Sequence, residues 1–191
     1  MNKLVKKLML VAAMLMLAAG PSFAADAIRI GLMCPLTGKW ASEGQDMQQI
    51  VSLLVSEVNK AGGINGKQIE LVVEDDAGDP RTASLAAQKL ASAGVMAVIG
   101  TYGSAVTEAS QNIIDEAEIM QIATGSTSVR LTEKGLPLFF RTCPRDDEQG
   151  RVASKVIAAK GFKKVAILHD NSAYAKGLAD EAKQRILDKK S

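Results

Sequence analysis

Histidine occurs once in this chain of 191 residues and cysteine twice, and none of the three sits in a pattern that supports catalysis. His169 has no companions at metal-ligand spacing, and Cys34 and Cys143 have no evident base in the sequence. No G-x-S-x-G elbow presents a serine nucleophile. The phosphate-binding patterns are missing too. After Gly100 the next glycine is Gly103, so the turn lacks G-x-G-x-x-G, and it lacks the lysine of a P-loop. A strong charge of one sign is also absent. The chain carries 23 basic and 21 acidic side chains, and three of the lysines, Lys3, Lys6 and Lys7, lie in the first few residues. Without them the balance is close to −1, which gives no reason to expect a nucleic-acid or anionic-lipid partner.

The amino terminus is the best-marked segment. Lys3, Lys6 and Lys7 precede an apolar run from Leu8 to Ala19, which Gly20 and Pro21 break. Ser22, Phe23 and Ala24 then place small residues at a cleavage site. This layout predicts a secretory signal over 1–24, removed after Ala24. The run is short of the ~20 residues needed to span a bilayer. No cysteine follows it as a lipid anchor. The expected product is exported to the periplasm, without membrane insertion after cleavage. Cys34 and Cys143 are expected to end strands several positions apart in one sheet, too far apart for a disulfide, so two free thiols are predicted.

From Ile28 onward, apolar strands and amphipathic helices alternate. AIRIGLM reads as a strand closed by Cys34-Pro35. The next segment carries Met47, Ile50, Val51, Leu54, Val55 and Val58 on one helical face until Gly62-Gly63. Asn65-Gly66 turn the chain into QIELVVE. Asp79-Pro80 start a second helix that runs to Gly94. VMAVIG, EIMQIAT and LPLFFRT read as the third to fifth strands, with a helix at SAVTEASQNIIDEA. A helix follows Asp146, KKVAILH reads as a sixth strand, and a last helix starts near Tyr174. This order predicts an α/β fold, a doubly wound parallel sheet with helices on both faces. Ligands of such folds bind where the carboxyl ends of strands meet the amino ends of helices.

Two of those edges are rich in hydroxyls. VIGTYGSAVTE brings Thr101, Tyr102 and Ser104 to one, and TGSTS brings Thr124, Ser126, Thr127 and Ser128 around Gly125 to the next. Bulky hydroxyl residues would crowd a pyrophosphate. They suit a smaller anion such as a carboxylate, held by a serine and by free amides at a helix start. Any one hydroxyl could instead merely cap a helix. Glu74, Asp75, Asp76 and Asp79 lack a calcium-loop pattern and read as a strand end plus a helix cap. No metal or other cofactor is expected.

IRIGLMCPLTG, EVNKAGGINGKQIELVVEDDAGDP, VIGTYGSAVTEAS, TGSTS, FFRTCPRDDEQG and VAILHDNSAYAKGLAD follow one another in order. Together they resemble the periplasmic substrate-binding proteins of branched-chain amino acid ABC importers, the leucine/isoleucine/valine-binding type. That resemblance implies a clamshell of two α/β lobes that binds an amino acid and delivers it to a membrane ABC permease, with no catalysis. It implies ligand roles for Ser104, Thr127 and the backbone of Gly125 beside Tyr102, and for Tyr174 from the second lobe. Glu43 stands where such relatives commonly carry an aromatic or apolar residue of the side-chain pocket. A carboxylate there would suit a polar or cationic side chain, or serve only as a first-turn acid. Gly78 and Gly103 match a cysteine pair of some relatives. Family members are longer, so the expected organisation is an amino-terminal lobe over 25–143, then a hinge crossing and an incomplete second lobe over 144–191. A soluble ligand-sensing domain for a signalling receptor and a truncated, non-functional fragment are the alternatives.

Overall fold

The computed structural model describes residues 27–188; the expected signal peptide over 1–24 lies outside them. Five parallel strands form one sheet in the order β2-β1-β3-β4-β5. They are β1 (Ile28–Cys34), β2 (Ile69–Asp75), β3 (Ala97–Ile99), β4 (Met120–Ala123) and β5 (Phe139–Arg141). The helices are α1 (Ala41–Lys60), α2 (Pro80–Ser92), α3 (Ser104–Glu116), a short α4 (Arg130–Glu133), α5 (Asp146–Ala159) and α6 (Ala173–Asp188). The predicted α/β class and the parallel sheet are therefore observed.

Right-handed crossovers determine which face each helix covers. β2 lies on one side of β1 and β3 on the other, so the chain reverses direction and α2 and α3 cover the face opposite α1. The core beneath α2 and α3 joins Met33, Leu90, Val95, Val98, Ile114 and Ile119 with Ala86 and Ala87. Burying each large side chain contributes about 1.5–3 kcal/mol. The alanines let α2 lie close to the sheet. Asp79 caps α2, accepting the Thr82 N–H at 2.9 Å, with Pro80 at the first helical position as the sequence predicts. Gly63 closes α1 at φ 76°, and a Cβ there would come within 2.0 Å of Lys67 O.

Three expectations need correction. Residues 163–169 are not a strand: they pair with no other strand and are exposed throughout, Leu168 to 94%. A strand exists only through a partner's hydrogen bonds, and among the described residues none is offered there. The apolar face expected of α1 is only partly used, since Ile50, Leu54 and Val58 are exposed along with Leu53. α1 packs on β1 and β2, but that stripe points past them. The short helix α4 was not predicted at all.

Candidate functional site

The carboxyl edge of the sheet gathers the loops after β1, β2, β3 and β4. Asp75, the last residue of β2, organises the loop following β1. It accepts the N–H of Leu36 at 2.9 Å and of Thr37 at 3.3 Å, and the Thr37 hydroxyl at 2.6 Å. These hydrogen bonds outweigh the partial burial of Asp75 and lower its pKa. Among the described residues, no His, Cys, Asp and Glu side chains converge as a metal site.

The hydroxyls after β3 and β4 divide into two groups. Thr101 bonds to Thr107, and Thr107 to Ser126. All three are fully buried, and they tie the β3–α3 turn to the loop after β4. Thr124 joins them through Thr101 O at 3.3 Å and also reaches Met47 Sδ at 3.7 Å. Their hydrogen-bonding capacity is spent within the protein. Ser104 and Thr127 differ. Ser104, the first residue of α3, accepts the Ser128 N–H at 3.2 Å, which leaves its hydroxyl hydrogen available to an acceptor. Thr127 Oγ1 is buried and has no hydrogen-bond partner among the described residues.

The loop 126–128 is held from the far side by its carbonyls. Arg141, at the end of β5, donates from Nη1 to Ser126 O at 3.0 Å and to Ser128 O at 2.9 Å. Between them, Thr127 O accepts the Asp146 N–H at 2.9 Å. With three successive carbonyls engaged on that side, the loop is fixed around Thr127. Sequence reasoning missed Arg141 and Asp146; an arginine closing an otherwise apolar strand was the available signal.

An aromatic pair flanks this loop. Trp40 and Tyr102 meet edge to face, with centroids 5.7 Å apart. A Cβ on Gly78 or on Gly103 would lie 2.8 Å from the Trp40 ring, so both glycines make room for the indole. Gly125 does the same for Tyr102, whose ring would lie 2.7 Å from its Cβ. Close approach is what requires a glycine here. Its N–H points to Thr101 O at 3.5 Å.

The other two candidates lie further out. Glu43 is half-buried in the first turn of α1, one helical turn before Met47, and so on the side that reaches Thr124. The Ser42 hydroxyl donates to its carboxylate at 2.8 Å and lowers its pKa. Tyr174, near the start of α6, is 43% exposed and lines an apolar groove with Val152, Ile167 and Leu168. Burial raises its pKa, with smaller contributions from Asp146 and Tyr102, so it stands within electrostatic reach of the β3–α3 turn. Cys34 and Cys143 are both free. Burial, with Asp76 and Asp75 nearby, pushes the Cys34 thiol up to about 12.

The family profile described as periplasmic binding protein matches residues 27–189. The chain belongs to the periplasmic binding protein family. It is 41% identical over 172 residues to Leu/Ile/Val-binding protein homolog 1 of Brucella abortus, covering 89% of this chain and 46% of that protein. It is 40% identical over 172 residues to the leucine-, isoleucine-, valine-, threonine- and alanine-binding protein of Pseudomonas aeruginosa, with the same coverage. Among solved structures it is similar to the branched-chain amino acid transporter substrate-binding protein of Streptococcus pneumoniae in complex with isoleucine. There the TM-score is 0.78 and the identity 34%, over 84% of this chain and 47% of that one. An ABC transporter substrate-binding protein from Desulfitobacterium hafniense in complex with leucine gives a TM-score of 0.71 at 30% identity, over 85% of this chain and 48% of that one. The chain thus spans about half the length of the relatives it matches. No helix among its described residues is long and apolar enough to cross a membrane.

Proposed function

We propose that this chain binds an amino acid, branched-chain by analogy with its relatives, in the periplasm after loss of residues 1–24, and presents it to a membrane ABC permease without chemical change. The lobe over 25–143 supplies one wall of the site, and residues 144–191 begin the other.

The observation that carries this reading is the state of the two hydroxyls at the sheet edge. Ser104 already accepts from Ser128, so it is a donor toward a ligand, suited to a carboxylate. The first-turn amides of α3, which have no partners within the helix, add to that preference. Thr127 Oγ1, without a hydrogen-bond partner among the described residues, suits an ammonium. A zwitterion presents both groups. Gly125 contributes backbone, Tyr102 and Trp40 flank the ligand, and Tyr174 approaches from the second wall. Closure around the ligand then follows from its better contacts in the closed form.

A thermal-shift series with the mature protein and the common amino acids tests this. Leucine, isoleucine or valine should raise the melting temperature, and Ser104→Ala should remove the effect. Silence with every amino acid would overturn the reading. Glu43 favours a second specificity: its ionised carboxylate on the Met47 side of α1 suits a polar or cationic side chain. A shift with lysine or arginine but not leucine, lost in Glu43→Leu, would establish that alternative.

A further inference from the structure

Asp146, the first residue of α5, is fully shielded from solvent. Its Oδ1 accepts from Gln149 Nε2 at 3.2 Å. Its Oδ2 has no hydrogen-bond partner among the described residues, and neither has Thr127 Oγ1. The Thr127 hydroxyl nevertheless lies near enough to the carboxyl to favour its ionised form, although burial raises the pKa of Asp146 overall. The Asp146 N–H donates to Thr127 O at 2.9 Å, so the two residues are neighbours, and their side chains have not closed a hydrogen bond of good geometry. Gly177 of α6 covers Oδ2 without bonding to it; a Cβ there would lie 3.2 Å away. Arg141 is close enough to favour the charge, but its Nη atoms are engaged by Ser126, Ser128 and Thr132, and its buried Nε has no hydrogen-bond partner among the described residues, so it does not bond Oδ2 either. A buried carboxylate oxygen left in this way opposes folding. Residues retained against stability are found where binding needs them.

We propose that Asp146 is a positioning residue for ligand binding: its carboxylate accepts the Thr127 hydroxyl hydrogen when ligand arrives, turning the lone pairs of Thr127 Oγ1 toward the ligand's ammonium. The inference rests on the amino-acid reading and adds a polarity to it. Ser104, fed by the Ser128 N–H, is the donor. Thr127, drained by Asp146, is the acceptor. One lobe then distinguishes the two ends of the zwitterion and admits it in a single orientation. Asp146 also joins the ligand loop to α5 and α6, because its backbone N–H holds Thr127 O and its charge is felt by Tyr174.

The test compares wild type, Asp146→Ala, Thr127→Val and the double variant by calorimetric titration with leucine and by thermal unfolding without ligand. Asp146→Ala should weaken leucine binding about tenfold, as expected for a lost charge-assisted hydrogen bond. The double variant should bind no more weakly than Thr127→Val alone, because the acid acts through that hydroxyl. 4-Methylpentanoate, which is leucine without its ammonium, should bind wild type and Asp146→Ala equally. The unliganded melting temperature of Asp146→Ala should hold or rise. Asp146→Asn keeps the volume, and with its oxygen on Gln149 it turns an N–H toward Thr127, so it should lose binding even if the alanine variant folds poorly. Unchanged leucine binding, additive losses, or a lower unliganded melting temperature in both variants would each overturn the proposal. If wild type binds no amino acid, the amino-acid reading fails by itself, and the unliganded melting temperatures still decide whether Asp146 is held against stability.

Discussion

Replacing Arg141 with alanine should destabilise the protein by about 2 kcal/mol, a figure that follows from what its three acceptors keep. Arg141 donates to Ser126 O at 3.0 Å, to Ser128 O at 2.9 Å and to Thr132 Oγ1 at 2.6 Å. Hydrogen bonds to a charged group are each worth about 1.5–3 kcal/mol, and an acceptor left stranded adds its own desolvation cost. None is stranded here. Ser126 O keeps the Cys143 thiol at 3.4 Å, Ser128 O keeps the Leu131 N–H at 3.3 Å, and Thr132 Oγ1 keeps Arg145 Nη1 at 3.2 Å. Removal also ends the desolvation of the guanidinium, the main cause of its lowered pKa. The net loss is therefore nearer one such bond than three. For a chain of this size, about 2 kcal/mol lowers the melting temperature by roughly 4–8 °C. Urea unfolding followed by circular dichroism should show a lower midpoint at an unchanged slope. Arg141→Lys should fall between the two, because one ammonium cannot reproduce a fork that reaches both carbonyls. A lysine variant equal to wild type, or an alanine variant within about 0.5 kcal/mol of it, would refute the reasoning and make Arg141 a bystander.

Two further outcomes follow from the loops after β1, β2 and β3. Asp76 is 1% exposed, and burial raises its carboxyl to about 6. The native state thus binds this proton more tightly than the unfolded chain does, and the contribution of Asp76 to stability falls as pH rises from about 4 to about 6, by roughly 3 kcal/mol in all. Asp76→Asn should therefore gain on wild type across that window in urea titrations, and a difference that stays flat with pH would refute the assignment. Gly103→Ala would place its Cβ 2.8 Å from Cζ3 of Trp40, the single tryptophan of the chain. The displaced indole should emit at longer wavelength and cost about 1 kcal/mol of stability, as overpacking does. Unaltered emission and stability together would show that the ring is not held there.

The sheet was legible because parallel strands covered on both faces run apolar, as in IRIGLMC and AVI, while IELVVED at the sheet edge kept an apolar centre between acids and is only partly buried. The same signal misled at 163–169. KKVAILH has the apolar content of a strand, but a strand is a property of two segments, and no partner segment occurs among the described residues. α4 was invisible for the opposite reason: four residues, RLTE, are too few to show any periodicity. At the site, sequence pointed to two sheet edges, and Ser104 and Thr127 both stand where a strand gives way to a loop or helix. It could not show which hydroxyls were already occupied. Thr101 and Ser126 looked equivalent to Ser104 and Thr127, yet Thr107, a full turn into α3, engages the first two. Ser104 instead accepts from an amide 24 residues away, which leaves its hydroxyl hydrogen free. Gly103 and Gly125 behave in the same manner, because each is required by an aromatic ring arriving from a distant loop, whereas Gly78 both makes room for the Trp40 ring and adopts φ 65° in its own turn. A hydroxyl's chemistry depends on which of its lone pairs and hydrogens remain free. That is decided by long-range partners such as Arg141 and Asp146, whose segment, FFRTCPRDDEQG, read only as a crossing between lobes.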